Sequence, residues 1–397
     1  MNRIDVNIYV GNNGKKDGVE DYLAIFGGIL ARDRRSFKVS NRYVPGVPNL
    51  VIEEFTNYFE NKKIARFREQ YPDTPLILVL TEFMETKWGV QSLNHFGGVK
   101  DSALIVLINI LVLYRRNDFR SARIKDWVWL IVFLPILLVT GIEEGARFVL
   151  SCLFPRSRIA KQEQLRTKIY RLSYWHLRYH GLLKNVYLFD HIIASHEKIW
   201  PQMTKNKIAM PEDNRFLGVV YPEFRRIEVL NKLFVDKKNK IELTGTISNY
   251  RQSWTDKINF QILSHGLHHM LGMMQNISWG EKIRKKERAA FSLHPPKTRN
   301  WPYSSPTRIY RALQYDGNIP VLAKYFGQNP IEDVCLQYRG VDTLVEMIEY
   351  WNNHASVCNY ISQKMMDYNE IATRRNDKIL RHIFSETSTH SQYGEIS

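Results

Sequence analysis

Only three cysteines occur in the 397 residues, Cys152, Cys335 and Cys358, and no two stand in a CxxC pair. That scarcity excludes a disulfide framework and a zinc ribbon, and it fits a reducing compartment. The start, "MNRIDVNIYVGNNG", lacks the apolar core of a secretory signal, so a cytoplasmic protein is expected. Internal repeats and low-complexity segments are also missing. Acidic residues are in deficit: 40 Asp and Glu stand against 56 Lys and Arg, a formal charge of +16. Such an excess favours an anionic partner, whether nucleic acid, an anionic membrane face or a phosphorylated substrate; the alternative is a solvated basic surface. What is present is a globular composition, 44% hydrophobic and 24% charged, at a length that suits two domains.

Residues 4–10, "IDVNIYV", read as a first strand, with the Gly-rich "GNNGKKDGVEDY" after it and a helix from near Val19. "FKVSNRYVPGVPNLVIEEF" adds two short apolar segments. "TPLILVLTEF" (74–83) is a near-continuous apolar run of the kind found in parallel strands buried on both faces. "NVYLFDHIIASHEKIW" (185–200) repeats strand, loop and helix start. The pattern predicts a Rossmann-like domain over residues 1–215, with functional groups just past the carboxyl ends of its strands. "MPEDNRFLGVVYPEF" (210–224) reads as an interdomain linker. A second α/β domain is expected over 216–350, from "NKIELTGTISNYR", "RAAFSLHP" and "WPYSSPTRIYRALQYDGNIPVL". Residues 351–385 read as C-terminal helices and 386–397 as a disordered polar tail.

The first domain is interrupted over 101–158. "ALIVLINILVLY" has twelve residues and "WVWLIVFLPILLVTGI" sixteen, both short of the ~20 needed to span a bilayer. Pro135 is expected to kink the longer run. Basic segments, "RRNDFRSARIKD" and "PRSRIAKQEQLRTK", flank it. This suits a monotopic or re-entrant element gripping anionic headgroups, with Trp127, Trp129 and Phe133 at the interface. A buried helical hairpin is the alternative. The expected location is the inner face of the cell membrane, peripheral or monotopic.

Two segments suggest anion chemistry. In "LTGTISNYR", Thr244, Gly245 and Thr246 would place backbone N–H groups and hydroxyls at a helix mouth, with Arg251 as a clamp; an ordinary Gly-Thr turn explains the same residues. In "SSPTRIYRAL", Ser304 or Ser305 is expected at the N-cap and Pro306 at the first helical position. Capping explains Ser and Pro but not Arg308, which would lie on the first turn beside the anion-attracting end. Two such mouths suit a diphosphate. Candidate general bases past strand ends are Glu20, Asp21 and Glu82, each also readable as a cap or surface charge. His265 and His269 share i, i+4 spacing, but no glutamate follows the first and no third ligand is evident, so no metal is expected. His294 can line a cleft. No nucleic-acid recognition motif accompanies the basic charge.

The stretch "SPTRIYRALQYDGNIPVLAKYF" resembles the nucleotide-sugar loop and helix of GT-B glycosyltransferases, and "LTGTISNYR" resembles the strand and turn that open their donor domain. "NLVIEEF", "LVLTEF" and "FDHIIASHEKIW" are similar to acceptor-domain elements, in the expected order. The resemblance covers most of the chain except residues 101–160 and the tail. It implies two Rossmann-like domains facing a cleft, with the hydrophobic helical insert in the first. It also implies transfer of a sugar from a nucleotide-diphosphate donor, without metal or other cofactor, to a lipid-linked or membrane-proximal glycan, as in bacterial-type polysaccharide synthesis. The donor would lie on residues 244–246, Arg251, Ser304, Ser305, Thr307, Arg308 and Arg311. Many retaining members carry two glutamates eight apart; Tyr303 and Arg311 stand in their places here. An inverting mechanism is therefore favoured, and a non-catalytic scaffold of the same fold is the alternative.

Overall fold

Strands whose two faces are both buried organise the chain. In this computed structural model the described residues are 4–11, 19–52, 61–81, 103–104, 106–107, 124–153, 181–182, 184–205, 210, 212–225, 227–230, 238–243, 256–260, 263–264, 266, 289–294, 304–323, 329–352 and 356–391. They form a mixed α/β structure with two parallel sheets. The first contains β1 (Val6–Tyr9), β2 (Phe37–Ser40), β3 (Asn49–Ile52), β4 (Leu76–Leu80), β5 (His191–Ala194) and β6 (Phe216–Val219), in the order β2-β1-β3-β4-β5-β6. Every residue of β1, β3, β4 and β5 is buried, which is why those segments read as apolar runs. Two polar side chains within this core satisfy each other: Asn7 Nδ2 donates to Asn49 Oδ1 at 2.7 Å across the β1–β3 register.

The strand order reverses at β1, which has β2 on one side and β3 on the other. In open parallel sheets such a switch point leaves a crevice beyond the carboxyl ends of the strands. Helix α1 (Val19–Arg32) follows β1, and α2 (Asn61–Gln70) and α4 (Ile199–Lys205) follow β3 and β5.

The second sheet contains β7 (Lys238–Leu243), β8 (Ala289–Leu293), β9 (Ile319–Ala323) and β10 (Leu336–Tyr338), in the order β10-β9-β8-β7. Between β8 and β9 lies α5 (Pro306–Arg311), and α6 (Val341–Asn352) and α7 (Val357–Ser391) close the chain. The chain divides into two compact units. Met1–Phe83, Asn185–Thr204 and Ala209–Ser397 form one, which holds both sheets, and Met84–Lys184 with Lys205–Ile208 form the other. Within the second unit, α3 (Ile124–Leu153) is one helix with Pro135 inside it. Among the described residues no helix is long and apolar enough to cross a membrane.

Two expected boundaries move. Residues 216–219, placed past the end of the first domain and inside a linker, are β6 and pair with β5. Gly218 at φ 137° and a register shift between Ile192 and Ile193 make this strand irregular, so it lacks the apolar signature of its neighbours. The expected tail from 386 is helical through Ser391, because α7 propagates past its last packed turn.

Helix α7 reads the backbone that follows β6. Asn376 accepts from Tyr221 N at 3.1 Å and donates to Tyr221 O at 2.8 Å and to Glu223 Oε1 at 2.8 Å. Asn369 brackets Phe224 in the same way, at 2.8 and 2.7 Å. Arg32 of α1 joins them by binding Glu223 at 2.7 Å and Asp377 at 2.6 Å. Because Asn376 is buried, Asn376→Ala leaves buried polar partners unmade and should cost about 3 kcal/mol, read by denaturant unfolding.

Candidate functional site

Two residues singled out separately in the sequence meet at the head of α1. Asp21 lies in the first helical turn with its side chain 14% exposed, and Arg311 Nη1 of α5 stands 3.7 Å from its Oδ2. Arg308, one turn earlier on α5, and Asp316 and Glu20 also act on the Asp21 charge. Burial pushes the Asp21 carboxyl up to about 6; Arg311 and Arg308 oppose that rise, while Asp316 and Glu20 add to it. A carboxylate of that proton affinity is ionised at neutral pH and suited to accept a proton.

Local chemistry explains why α5 stops where it does. A π-helical turn, Ala312–Asp316, follows it and ends at Gly317, which takes the left-handed φ of 61° that other residues resist. Arg225 then fastens the assembly. Its side chain donates to Gly28 O of α1, and its backbone N–H donates to Gln314 Oε1 of the π turn at 2.9 Å. A Cβ at Gly28 would stand 3.1 Å from the Arg225 guanidinium, so glycine allows that close approach.

Not all expected donor residues face outward. Ser304 is buried, and its Oγ donates to Glu332 Oε1 at 2.7 Å. Glu332, itself buried, sits on the short 3-10 turn Pro330–Val334. Ser305 occupies the N-cap position, yet its side chain makes no cap hydrogen bond; its hydroxyl pairs with Thr307 Oγ1 at 2.7 Å. The expected serine cap is therefore replaced by a hydroxyl pair on one turn. Arg308 and Arg311 are half-buried. Glu20 is exposed. Glu82, Thr244, Gly245, Thr246, Arg251, Tyr303, His265 and His269 lie outside the described residues. His294 is buried at the end of β8, with Nε2 3.0 Å from Ser292 Oγ. Trp127, Trp129 and Phe133 lie on α3 of the other unit, and the Trp129 and Phe133 rings stack at 5.4 Å.

Sequence reading missed Asp316, Glu332 and Arg225. The "YDG" of the π turn signals a helix end and not a charge partner, and "NPIEDV" carries an acid with no visible function. Among the described residues no group of three His, Cys, Asp or Glu side chains is placed to hold a metal.

The carboxyl end of β5 carries a second titratable group. His196 is buried, its Nδ1 accepts from Lys198 N at 3.0 Å, and burial with the nearby Lys198 charge lowers its pKa to about 3. The folded value lies below the unfolded one of 6.5, so its contribution is intact above that pH and is lost as pH falls from 6.5 towards 3. His196→Gln should flatten the loss of thermal stability between those limits, checked by melting curves across pH.

No family model matches the chain, and no curated protein matches it. Among solved structures the chain is similar to the Candida albicans trehalose-6-phosphate phosphatase N-terminal domain, at 9% identity and a TM-score of 0.36, covering 96% of this chain and 98% of that one. The class these observations define is an α/β protein with two parallel sheets, compatible with Rossmann-like folds. Its site joins a half-buried carboxylate to two guanidinium groups, an arrangement able to take a proton and to neutralise an oxyanion.

Proposed function

We propose that the chain is a glycosyltransferase of GT-B architecture, with two Rossmann-like domains about a cleft. It moves a sugar from a nucleotide-diphosphate donor to a lipid-linked or membrane-proximal glycan on the cytoplasmic face of the membrane. The observation that carries this reading is the meeting of Asp21 with Arg311 and Arg308 at the head of α1, beside the switch point of the first sheet. In this mechanism the Asp21 carboxylate takes the proton of the acceptor hydroxyl. The hydroxyl oxygen bonds to the anomeric carbon as the bond to the diphosphate breaks. Arg308 and Arg311 hold the charge that accumulates on the departing diphosphate. Attack opposite the leaving group inverts the anomeric centre. Arg311 stands where the resembling family carries a glutamate; as a guanidinium it donates to phosphate and accepts nothing from a ribose hydroxyl.

A non-catalytic scaffold of the same fold is the second reading. The burial of Ser304 against Glu332 favours it, because that hydroxyl is withdrawn from a ligand. Incubating the full chain with a panel of nucleotide sugars and a lipid-linked glycan separates the two. Release of nucleotide diphosphate with a glycosylated product supports the enzyme. Binding without turnover across the panel supports the scaffold, and absence of binding overturns both.

A further inference from the structure

Helix α3 has a directional pattern of exposure that its composition hides. Sixteen consecutive uncharged residues, 127–142, look equally apolar on all sides in the sequence. In the folded chain Ile131, Leu138 and Ile142 are 71%, 61% and 74% exposed. With Val149, also exposed, they are spaced by seven, four and seven residues, which places them on one stripe of a helix. Val128, Val132 and Val139 flank that stripe and are exposed as well. The opposite side is sheltered: Leu130, Phe133, Ile136 and Leu137 are half-buried and Thr140 is buried. Thr140 Oγ1 donates to Ile136 O at 2.7 Å, so the polar atom on that side is satisfied within the helix.

A contiguous apolar stripe of this kind marks an interaction surface. Its length and its surroundings select the occupant. At 1.5 Å per residue the uncharged run extends about 24 Å, short of the roughly 30 Å hydrocarbon core of a bilayer. Arg115, Arg116, Arg120, Arg123 and Lys125 precede it; Glu143 and Glu144 follow it directly, and Arg147, Arg156, Arg158 and Lys161 lie beyond them, the last three past the end of the helix. Cations before the stripe and past the end of the helix, with Glu143 and Glu144 off the line of the stripe, match a helix lying in the plane of an anionic lipid surface. A second copy of this +16 chain would bring like charges together at both ends.

We infer that α3 docks in one leaflet of an anionic phospholipid bilayer, lying along the surface, with Ile131, Leu138, Ile142 and Val149 turned to the acyl chains. Phe133, named from sequence as a membrane anchor, belongs to the sheltered side. The inference concerns the second unit alone and stands whether or not the sugar-transfer reading does.

Flotation of the full chain with lipid vesicles tests it. Association is expected with vesicles containing about 30% phosphatidylglycerol and not with pure phosphatidylcholine, since the basic flanks need anionic lipid. The triple variant Ile131→Ser, Leu138→Ser, Ile142→Ser should keep the wild-type melting curve, because all three side chains are exposed, and should lower vesicle binding by at least about tenfold. In vesicle-bound protein with Cys152→Ser, a membrane-impermeant maleimide added outside should label cysteines introduced in the two basic flanks by Arg123→Cys and Arg156→Cys. Wild-type protein left in the dense fraction, or a triple variant that floats equally well, would overturn the inference. Protection of only one labelled end would overturn the single-leaflet arrangement. A dimer that the triple variant disperses, without vesicle binding, would assign the stripe to a second copy instead.

Discussion

Replacing Asp21 with asparagine is expected to stabilise the protein at about pH 7.5 and to abolish the proposed sugar transfer. The two effects have one cause. Burial holds the Asp21 carboxyl near 6 in the folded chain, above its unfolded value of 3.8. A folded acid with a raised pKa binds more protons than the unfolded chain between those values, so stability falls as pH rises through them. Above about pH 6 the full penalty for burying the charge is present, at most about 3 kcal/mol, since each pKa unit corresponds to about 1.4 kcal/mol. Asparagine carries no such penalty. The gain in unfolding free energy should therefore be largest near pH 7.5 and vanish about one pH unit or more below 3.8, where the wild-type carboxyl is protonated in both states. A group kept at a cost in stability, whose removal abolishes activity, is expected of a functional site. An Asn variant less stable than wild type at neutral pH would remove the basis for treating Asp21 as a strained base.

The second expectation concerns its partner. Arg311 is the largest influence that lowers the Asp21 pKa, ahead of Arg308. Arg311→Ala should raise the Asp21 titration by about 1–3 units, the usual effect of a neighbouring guanidinium. Arg308→Ala should act in the same direction and less. Carbon-13 spectra of the Asp21 carboxyl against pH read this directly. The pH–rate profile of transfer should move with it: its acidic limb, where the base becomes protonated, shifts upward in the Arg311 variant. A merely structural arginine would change stability and leave that limb in place.

Much of the scaffold was legible because burial on both faces writes itself into sequence. Val6–Tyr9, Leu76–Leu80 and Ile319–Ala323 are apolar runs, and all are strands. The misreadings occur where that signature weakens. Phe216–Val219 contains a glycine with positive φ and pairs with a shifted register, so it passed for a linker. Leu336–Tyr338 is too short to display any period. The last turns of α7 are rich in Ser and Thr, and they are helical by continuation from a packed helix.

The site was legible one residue at a time and not as a group. Asp21 stood out by following a strand and a Gly-rich loop, and Arg311 by replacing an expected acid. Nothing local says that they touch, because the contact depends on α1 packing against α5 and on Arg225 fastening both. The burial of Ser304 was hidden for the same reason: Glu332, its partner, lies beyond an intervening strand.

Calorimetric titration of the wild-type chain and of Arg311→Ala with a panel of nucleoside diphosphates tests the central claim most directly. The account predicts that at least one diphosphate binds the wild type and that its affinity falls more than about tenfold in the variant, the loss of one charge-assisted pair. Equal affinity in both proteins, or no binding by any member of the panel, would contradict it.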